Sequence, residues 1–521
     1  MNKYTLIALS LCGGFLSSLA WSGWCPGIIL LASFVPFFII EEHLYVNRIR
    51  YPSGSCFTYL LPGFTIFSML TLGWIRAVSL TAAVCVILIA ACLMAFIFWL
   101  GHLVKRKSAP VQGTLSLVVF WLALEFICLR FNIISPWINL GNGLSKDISI
   151  IQWYEVTGVG GGTLWILLSN VFLTRLIVMR SSGKRKILKY LLIWLAIVVL
   201  PATISLIRFY TIKVSPGLAT ETVIVQPDFD PFNEKFTIPF DQQLEKALSI
   251  AKSAASPSTR WIVAPETLVD DPVNENQMTD DRYIRRIKDF VREYPETSFM
   301  AGMVSYMPDS LKASGKDLFN SAFRIDTGSV IEIYHKSKLV PGFEFVPSGN
   351  IMKLITRLLP NLGAGNRNYG SQSSRNCFSS TDGSQKVAPV ICYESVYGEY
   401  VTDYIKRGAG AIFVITNDGW WKNTNGYKHH FFYSSLRAIE TRRPLIRSAN
   451  TGISGFIDLR GRAVQKSEWW KAAVLKGSFV PENRITAYVR FGDVIMRIAA
   501  IISLLIIITI FIARPLKKMI E

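Results

Sequence analysis

The sequence predicts a two-part α/β protein: a bundle of eight membrane-spanning helices, with an extracytoplasmic α/β domain inserted between the seventh and eighth spans. Three observations predict it. Apolar runs of membrane length crowd residues 1–210 and recur once near the C-terminus, basic clusters occupy every second gap between them, and the long intervening stretch alternates short strand-like and helix-like patterns.

The apolar runs lie near residues 5–23, 27–44, 56–75, 79–103, 114–131, 160–179, 187–208 and 494–513, each long enough for about 30 Å of hydrocarbon. Lys3 precedes the first run as in an export signal, but Trp24 stands before Cys25 where a lipoprotein-type cleavage site wants a small residue, so this run is expected to stay as a helix. Hydrophobic residues form 51% of the 521-residue chain against 17% charged, with a mean hydropathy of +0.34. An ordinary soluble domain is less apolar than this.

Sidedness follows from the basic residues. Lys3, the pair Arg48 and Arg50, the KRK at 105–107, the RSSGKRK run at 180–186, and Arg514, Lys517 and Lys518 all fall on one side if the runs are spans. Positive charge is retained in the cytoplasm. Residues 1–210 then form a seven-span transmembrane domain and residues 211–490 an extracytoplasmic domain, with an eighth span and cytoplasmic tail at 491–521. The same clustering accounts for the formal charge of +19, so the expected partner is the membrane and not nucleic acid. Six of the eight cysteines lie in or beside apolar runs, which leaves Cys377 and Cys392 and no legible disulfide framework.

Between 211 and 490 the runs TVIVQ (222–226), WIVA (261–264), SFMAGMV (298–304), APVIC (388–392), AIFVIT (411–416) and PLIRSA (444–449) read as buried strands. Residues 241–254, 281–293, 397–408 and 428–441 have amphipathic spacing, and Asn320 to Tyr334 reads as a strand pair turning at Asp326-Thr327-Gly328. Functional groups in α/β domains gather at the carboxyl ends of strands. Three such ends stand out: Glu266 after WIVAP, Lys336 after IEIYH, and Cys392 after APVI.

Taken singly, Cys392 also reads as a small core residue, Glu266 as a solvated turn and Lys336 as surface charge, but together, in chain order at strand ends, the three can carry acyl transfer. A free thiol is only a few per cent thiolate at neutral pH, so a catalytic cysteine needs a base and a nearby positive charge. Glu266 supplies the first and Lys336 the second, with Lys336 and the backbone N–H after Cys392 placed to hold a tetrahedral oxyanion. Neither a cofactor nor a metal is required, and His429-His430 shows no metal-ligand spacing with the other three histidines.

APETLVD, YHKSKLVPGFEFVP and APVICYESVYGEY resemble the three catalytic motifs of the nitrilase superfamily, and the membrane frame narrows the resemblance to its apolipoprotein N-acyltransferase branch. Further similar stretches are VQPDFDPFNEKF (225–236), TNDGWWKNTNGYKHHF, RAIETRRPLIRSANTGISGFID, ITAYVRFGD, SPWINLGN and IQWYEVTGVGGGTLWILLSN. The resemblance implies an α-β-β-α sandwich for the outer domain. It implies transfer of an acyl chain from a phospholipid, typically phosphatidylethanolamine, through a cysteine thioester to the amino group of the S-diacylglyceryl-cysteine that begins an apolipoprotein. By motif, Glu266 is the base, Lys336 the oxyanion stabiliser and Cys392 the nucleophile, in a monomeric enzyme of the bacterial inner membrane with its active domain on the periplasmic side. Glu344, Tyr393 and Glu394 match supporting residues, and Phe236 stands where the family has an acyl-site Trp. PGFEF replaces the usual PFGEF, so Gly342 and Phe343 are interchanged and a different loop path is expected. A membrane-tethered amidase has no use for eight spans, and a transporter or scaffold with an inactive outer domain would be expected to lack one of the three residues.

Overall fold

Apolar length decides the first part of the chain. The structure, a computed structural model, describes residues 1–131, 136–179, 183–235, 237–309, 316–345 and 368–513. Among them seven helices are long and apolar enough to cross a bilayer: Lys3–Trp21, Gly27–Val46, Ser55–Ala77, Leu80–Lys107, Pro110–Phe131, Tyr154–Val178 and Lys184–Thr211. The chain is a multi-pass membrane protein. Where an eighth full span is expected, the described residues hold a shorter apolar helix, Val494–Ile510, which is α-helical to Ile507 and then widens into π geometry.

The buried charged groups inside these helices are paired, because hydrocarbon offers no water to satisfy them. Glu125, the lone carboxylate of its run, accepts from Trp121 Nε1 at 3.0 Å, Leu140 N at 2.8 Å and Thr163 Oγ1 at 2.7 Å. Lys105 is expected to be one of the free orienting charges of the KRK cluster. It is instead buried, 2.6 Å from Glu41 and 2.7 Å from Glu42, while His102 meets Glu41 at 2.8 Å and Arg175 meets Glu42 at 3.3 Å.

The chain divides into two compact units, one of Met1–Arg76, Ala82–Thr211 and Phe491–Glu521, the other of Ala77–Thr81 and Ile212–Arg490. The second unit holds thirteen described strands: β1 Thr220–Gln226, β2 Trp261–Val263, β3 Val269–Asn274, β4 Ser298–Pro308, β5 Lys316–Ile325, β6 Glu332–His335, β7 Phe378–Ser379, β8 Lys386–Ile391, β9 Ala411–Thr416, β10 Leu445–Ala449, β11 Gly455–Ile457, β12 Ala463–Lys466 and β13 Ala473–Phe479. One sheet runs β13-β1-β2-β4-β5-β6 with β3 also on β4, and the other β12-β11-β10-β9-β8-β7. The central pairs β1-β2, β2-β4, β8-β9 and β9-β10 are parallel.

Both faces of each central strand are covered, which is why the strands read as unbroken apolar runs. Val223, Ile262, Phe299 and Phe323 of the first sheet pack on Leu244, Leu248, Ile284 and Ile287 of helices Phe240–Lys252 and Arg282–Arg292. Their neighbours in sequence face the other sheet, where the Trp261 and Phe413 rings meet edge-on at 5.1 Å. Helices Gly398–Lys406 and Asn425–Thr441 pack on the second sheet. The order of layers is helix, sheet, sheet, helix, as the resemblance implies. All six expected strands and all four expected helices form, and the expected strand pair is β5 with β6, in register at Phe323 and Ile333. The strands β3, β7, β11, β12 and β13 are not expected from the sequence. The edge strand β12 carries mostly exposed residues and shows no apolar run.

Breaking the membrane ion cluster tests how tightly it is held. Lys105→Met leaves the buried Glu41 and the half-buried Glu42 with less positive charge and should cost about 3–5 kcal/mol. Glu41→Gln added to Lys105→Met should recover part of this, as read from thermal unfolding in detergent.

Candidate active site

Glu266 is placed by a close backbone approach. After β2 the chain continues beside β4, with Ala264 N donating to Met300 O at 2.8 Å and Gly302 N to Pro265 O at 3.0 Å. A β-carbon on Gly302 would lie 2.7 Å from Glu266 Cα and 2.4 Å from Thr267 N, so only glycine lets the acidic residue sit here. Thr267 takes φ +48°, and Lys235 Nζ caps its carbonyl at 3.0 Å and also bonds its hydroxyl.

Lys336 follows β6, its backbone N–H bonded to Asn320 O at 2.8 Å. Its side chain is only 1% exposed. Nζ lies 2.9 Å from Glu266 Oε1 and 2.8 Å from Glu344 Oε1, and the Asn320 amide donates to the same two oxygens at 2.8 and 2.7 Å. The second oxygen of Glu266 accepts from Asn417 N at 3.2 Å, and that of Glu344 from Val340 N at 2.8 Å.

Cys392 comes directly after β8 and is buried. The register Ile391↔Ile415 puts it beside Thr416. Its φ is +47°, a left-handed conformation that a side chain other than glycine rarely adopts and that clusters at functional sites. The turn ends the strand and swings the residue out of the sheet. Glu266 and Lys336 are the first two charges that act on its thiol.

Electrostatics set the resting protonation. Burial by itself pushes the Glu266 carboxyl up, but the charge and hydrogen bond of Lys336, with Asn320 and Lys235, outweigh it and hold the pKa below the ordinary range. Burial pulls Lys336 down, and the two carboxylates more than reverse this, so it stays an ammonium. Burial and then Glu266 push the Cys392 thiol well up, against the smaller pull of Lys336. The resting site therefore holds a thiol, a carboxylate and an ammonium. A carboxylate beside a thiol can accept its proton as the sulfur attacks, and the ammonium can meet the negative charge that develops.

The expected supporting residues divide. Glu344 belongs to the cluster itself. Glu394 is fully buried and acts as a clamp: Oε1 accepts from Ser337 N at 2.7 Å, Tyr334 OH at 2.7 Å and Tyr400 OH at 2.6 Å, and Oε2 from Ile391 N at 2.9 Å. It thus ties the residue after Lys336 to the residue before Cys392, and burial raises its own pKa. Tyr393 is buried, its ring perpendicular to Tyr397 at 5.2 Å. Phe236 lies outside the described residues. Gly342 takes φ +81°, which accounts for glycine at this place in PGFEF. Cys377 is half-buried, its Sγ 3.5 Å from Tyr404 O.

Sequence reasoning misses the layer behind these residues. Asn320 reads only as a strand residue, and Asn417 contributes a backbone N–H that no side-chain pattern announces. His430 belongs to a buried group with Asp418 and Arg447, described below. The signal available was the TNDGWW…HH…R run, whose members meet only through three separate elements.

The family model described as carbon-nitrogen hydrolase matches residues 226–484, and that described as apolipoprotein N-acyltransferase N-terminal domain matches residues 13–172. A curated protein named apolipoprotein N-acyltransferase from Chlorobaculum tepidum is 26% identical over 507 residues, 94% of this chain and 93% of its own. Its namesake from Geobacter metallireducens is 27% identical over 509 residues, 94% of this chain and 90% of its own. A solved Saccharomyces cerevisiae member of the nitrilase superfamily, 14% identical, covers 52% of this chain and 93% of its own with a TM-score of 0.39.

The clamp can be tested directly. Glu394→Gln keeps the shape but turns one acceptor into a donor among groups that already donate, which should cost about 1–3 kcal/mol. Alkylation of Cys392 by iodoacetamide should slow in the same variant, as read by mass spectrometry of the labelled peptide.

Proposed function

We propose that this chain, which belongs to the apolipoprotein N-acyltransferase family, transfers an acyl chain from a phospholipid to the amino-terminal S-diacylglyceryl-cysteine of apolipoproteins through a thioester on Cys392. The observation that carries the reading is the buried cluster of Glu266, Lys336 and Cys392 at three strand ends. These are three residue types with complementary roles. The membrane-length helices that precede the cluster in the chain suit substrates that are themselves lipids.

In the first half-reaction the Cys392 sulfur attacks the carbonyl carbon of a phospholipid ester while Glu266 takes the thiol proton. Lys336 and the backbone N–H after Cys392 face the oxyanion. Collapse breaks the ester C–O bond, Glu266 returns the proton to the departing glycerol oxygen, and a lysophospholipid leaves. In the second half the α-amine of the apolipoprotein cysteine attacks the thioester carbon. The C–S bond breaks, the nitrogen loses a proton and the sulfur regains one. The product is an amide and the free thiol is restored. A dry pocket favours the amine over water.

Residues 211–490 are the catalytic domain in this reading, 1–210 the seven-span anchor and 491–521 the final span and tail. The basic clusters orient the chain in the bacterial inner membrane with the catalytic domain on the periplasmic side. Phosphatidylethanolamine is the donor, the enzyme acts as a monomer, and Glu344 and Glu394 hold the reacting residues in place.

Labelled acyl chains decide the order of events. Purified protein given phosphatidylethanolamine labelled in its acyl chains should become labelled before any acceptor is added, through a bond labile to neutral hydroxylamine. The label should leave when a diacylglyceryl-cysteinyl peptide is supplied. Cys392→Ser should accumulate none, while Cys377→Ser behaves as wild type. Label on Cys377, or none without acceptor, overturns the reading, and release of free fatty acid at the full turnover rate would indicate an amidase-like hydrolase.

The base has a pH signature. Lys336 is what holds Glu266 ionised against burial, so in Lys336→Met burial dominates and the Glu266 pKa rises. The acid limb of acyl-enzyme formation should move to higher pH, with a fall of about 10²–10³ in the plateau rate. A pH–rate profile shows both.

A further inference from the structure

Behind the nucleophile lies a closed group of polar residues to which the chemistry above gives no part. His430, in helix Asn425–Thr441, is completely buried. Its Nε2 is 3.0 Å from the Cys392 carbonyl oxygen and 2.8 Å from Ser395 Oγ, and Ser395 Oγ itself donates to the same carbonyl at 2.7 Å. On the other side of the ring Nδ1 is 2.9 Å from Asp418 Oδ1 and 2.9 Å from Arg447. Asp418 Oδ2 and Arg447 form an ion pair at 2.7 Å, both fully buried.

A carbonyl oxygen only accepts and a guanidinium only donates, so with Arg447 2.9 Å from Nδ1 the neutral ring that fits both sides carries its proton on Nε2, donates to the Cys392 carbonyl and accepts from Arg447. The bond depends on how the Cys392 backbone is turned. With φ at +47° this residue leaves the direction of β8; an ordinary extended φ would continue the strand and aim the carbonyl elsewhere. The network also reaches the strand beside the same residue. Thr416, which the β8–β9 register sets next to Cys392, donates to Asp418 Oδ1 at 2.8 Å. The Cys392 carbonyl is therefore anchored to the buried ion pair through His430, and the neighbouring Thr416 is held by the same aspartate.

We propose that His430 is a positioning residue for the acyl transfer: by donating to the Cys392 carbonyl, together with Ser395, it holds the nucleophile in the left-handed conformation that presents its sulfur to Glu266. Its imidazole has no share in the proton transfers. The group recognised is the enzyme's own peptide carbonyl, which makes the effect one on kcat and not on phospholipid binding. The proposal rests on Cys392 being the reactive thiol.

Two isosteric replacements separate this role from simple support of the fold. Glutamine can bring its amide N–H to the place of Nε2 and keep the donor, whereas asparagine reaches only as far as Nδ1. In the full-length protein in detergent, His430→Gln should keep kcat within about threefold of wild type. His430→Asn should lose about 10²-fold in the rate of acyl-enzyme formation with KM for phosphatidylethanolamine unchanged, the scale expected when a nucleophile is misplaced. Ser395→Ala, a small change expected to leave the fold intact, should lose about tenfold in kcat, and it decides the matter should His430→Asn fail to accumulate. Iodoacetamide alkylation of Cys392 should rank the variants in the same order, and it does so even if no thioester forms with phospholipid. The two readings therefore fail separately. Equal rates in His430→Gln and His430→Asn, a rise in KM instead of a fall in kcat, or wild-type kcat in Ser395→Ala would overturn the proposal.

Discussion

Two carboxylates, one buried and one half-buried, close around a single buried ammonium, and much of the second unit follows from making that tolerable. Glu266, Glu344 and Lys336 carry one negative charge in excess. Unpaired buried ions cost several kcal/mol each, so every remaining acceptor position needs a donor. Asn320 supplies one amide to both carboxylates, Asn417 and Val340 supply backbone N–H groups, and Lys235 adds a second cation nearby. Gly302 exists in the same account, because the Glu266 backbone must pass within van der Waals distance of β4 for its side chain to reach Lys336.

The arrangement resolves a conflict in cysteine chemistry. Burial that keeps water from a thioester also suppresses the thiolate needed to form it. Here the thiol is pushed up by burial and by Glu266 while the carboxylate stays ionised because Lys336 is bonded to it. In the proposed reaction the proton difference between the two is overcome during attack, when the sulfur bonds to carbon and the charge moves to the oxyanion. A histidine base is unnecessary, although a cysteine, a histidine and an aspartate lie together. The imidazole of His430 is engaged with the Cys392 carbonyl and with Arg447.

The membrane unit obeys a related rule in a different solvent. Its buried Glu41 and Lys105 and half-buried Glu42 and Arg175 form one connected group, and Glu125 is satisfied by three donors. In hydrocarbon an unpaired charge has no water to fall back on, so the pairing sets which faces of the helices meet. Lys105 shows the limit of reading basic residues as orientation signals. Membership of a cluster does not say which of its members is packed inside.

Local chemistry by itself determined a good deal of this protein. Span length, the strand runs at 222–226, 261–264, 298–304, 388–392, 411–416 and 444–449, and the position of Glu266, Lys336 and Cys392 at strand ends all follow from hydropathy period and chain direction. Those signals lie within a few residues of one another. Pairing partners do not: Glu266 meets Asn320 across 54 residues and Glu394 meets Tyr334 across 60. The edge strand β12 has too few buried residues to leave a periodic trace. His430, Asp418 and Arg447 sit on a helix, a short 3-10 turn and a strand, and nothing in the spacing of His429-His430 says that one ring would face the Cys392 carbonyl. Only the packing of the sheets and helices brings those groups within hydrogen-bond distance, because a buried polar residue takes its role from whatever the fold places against it.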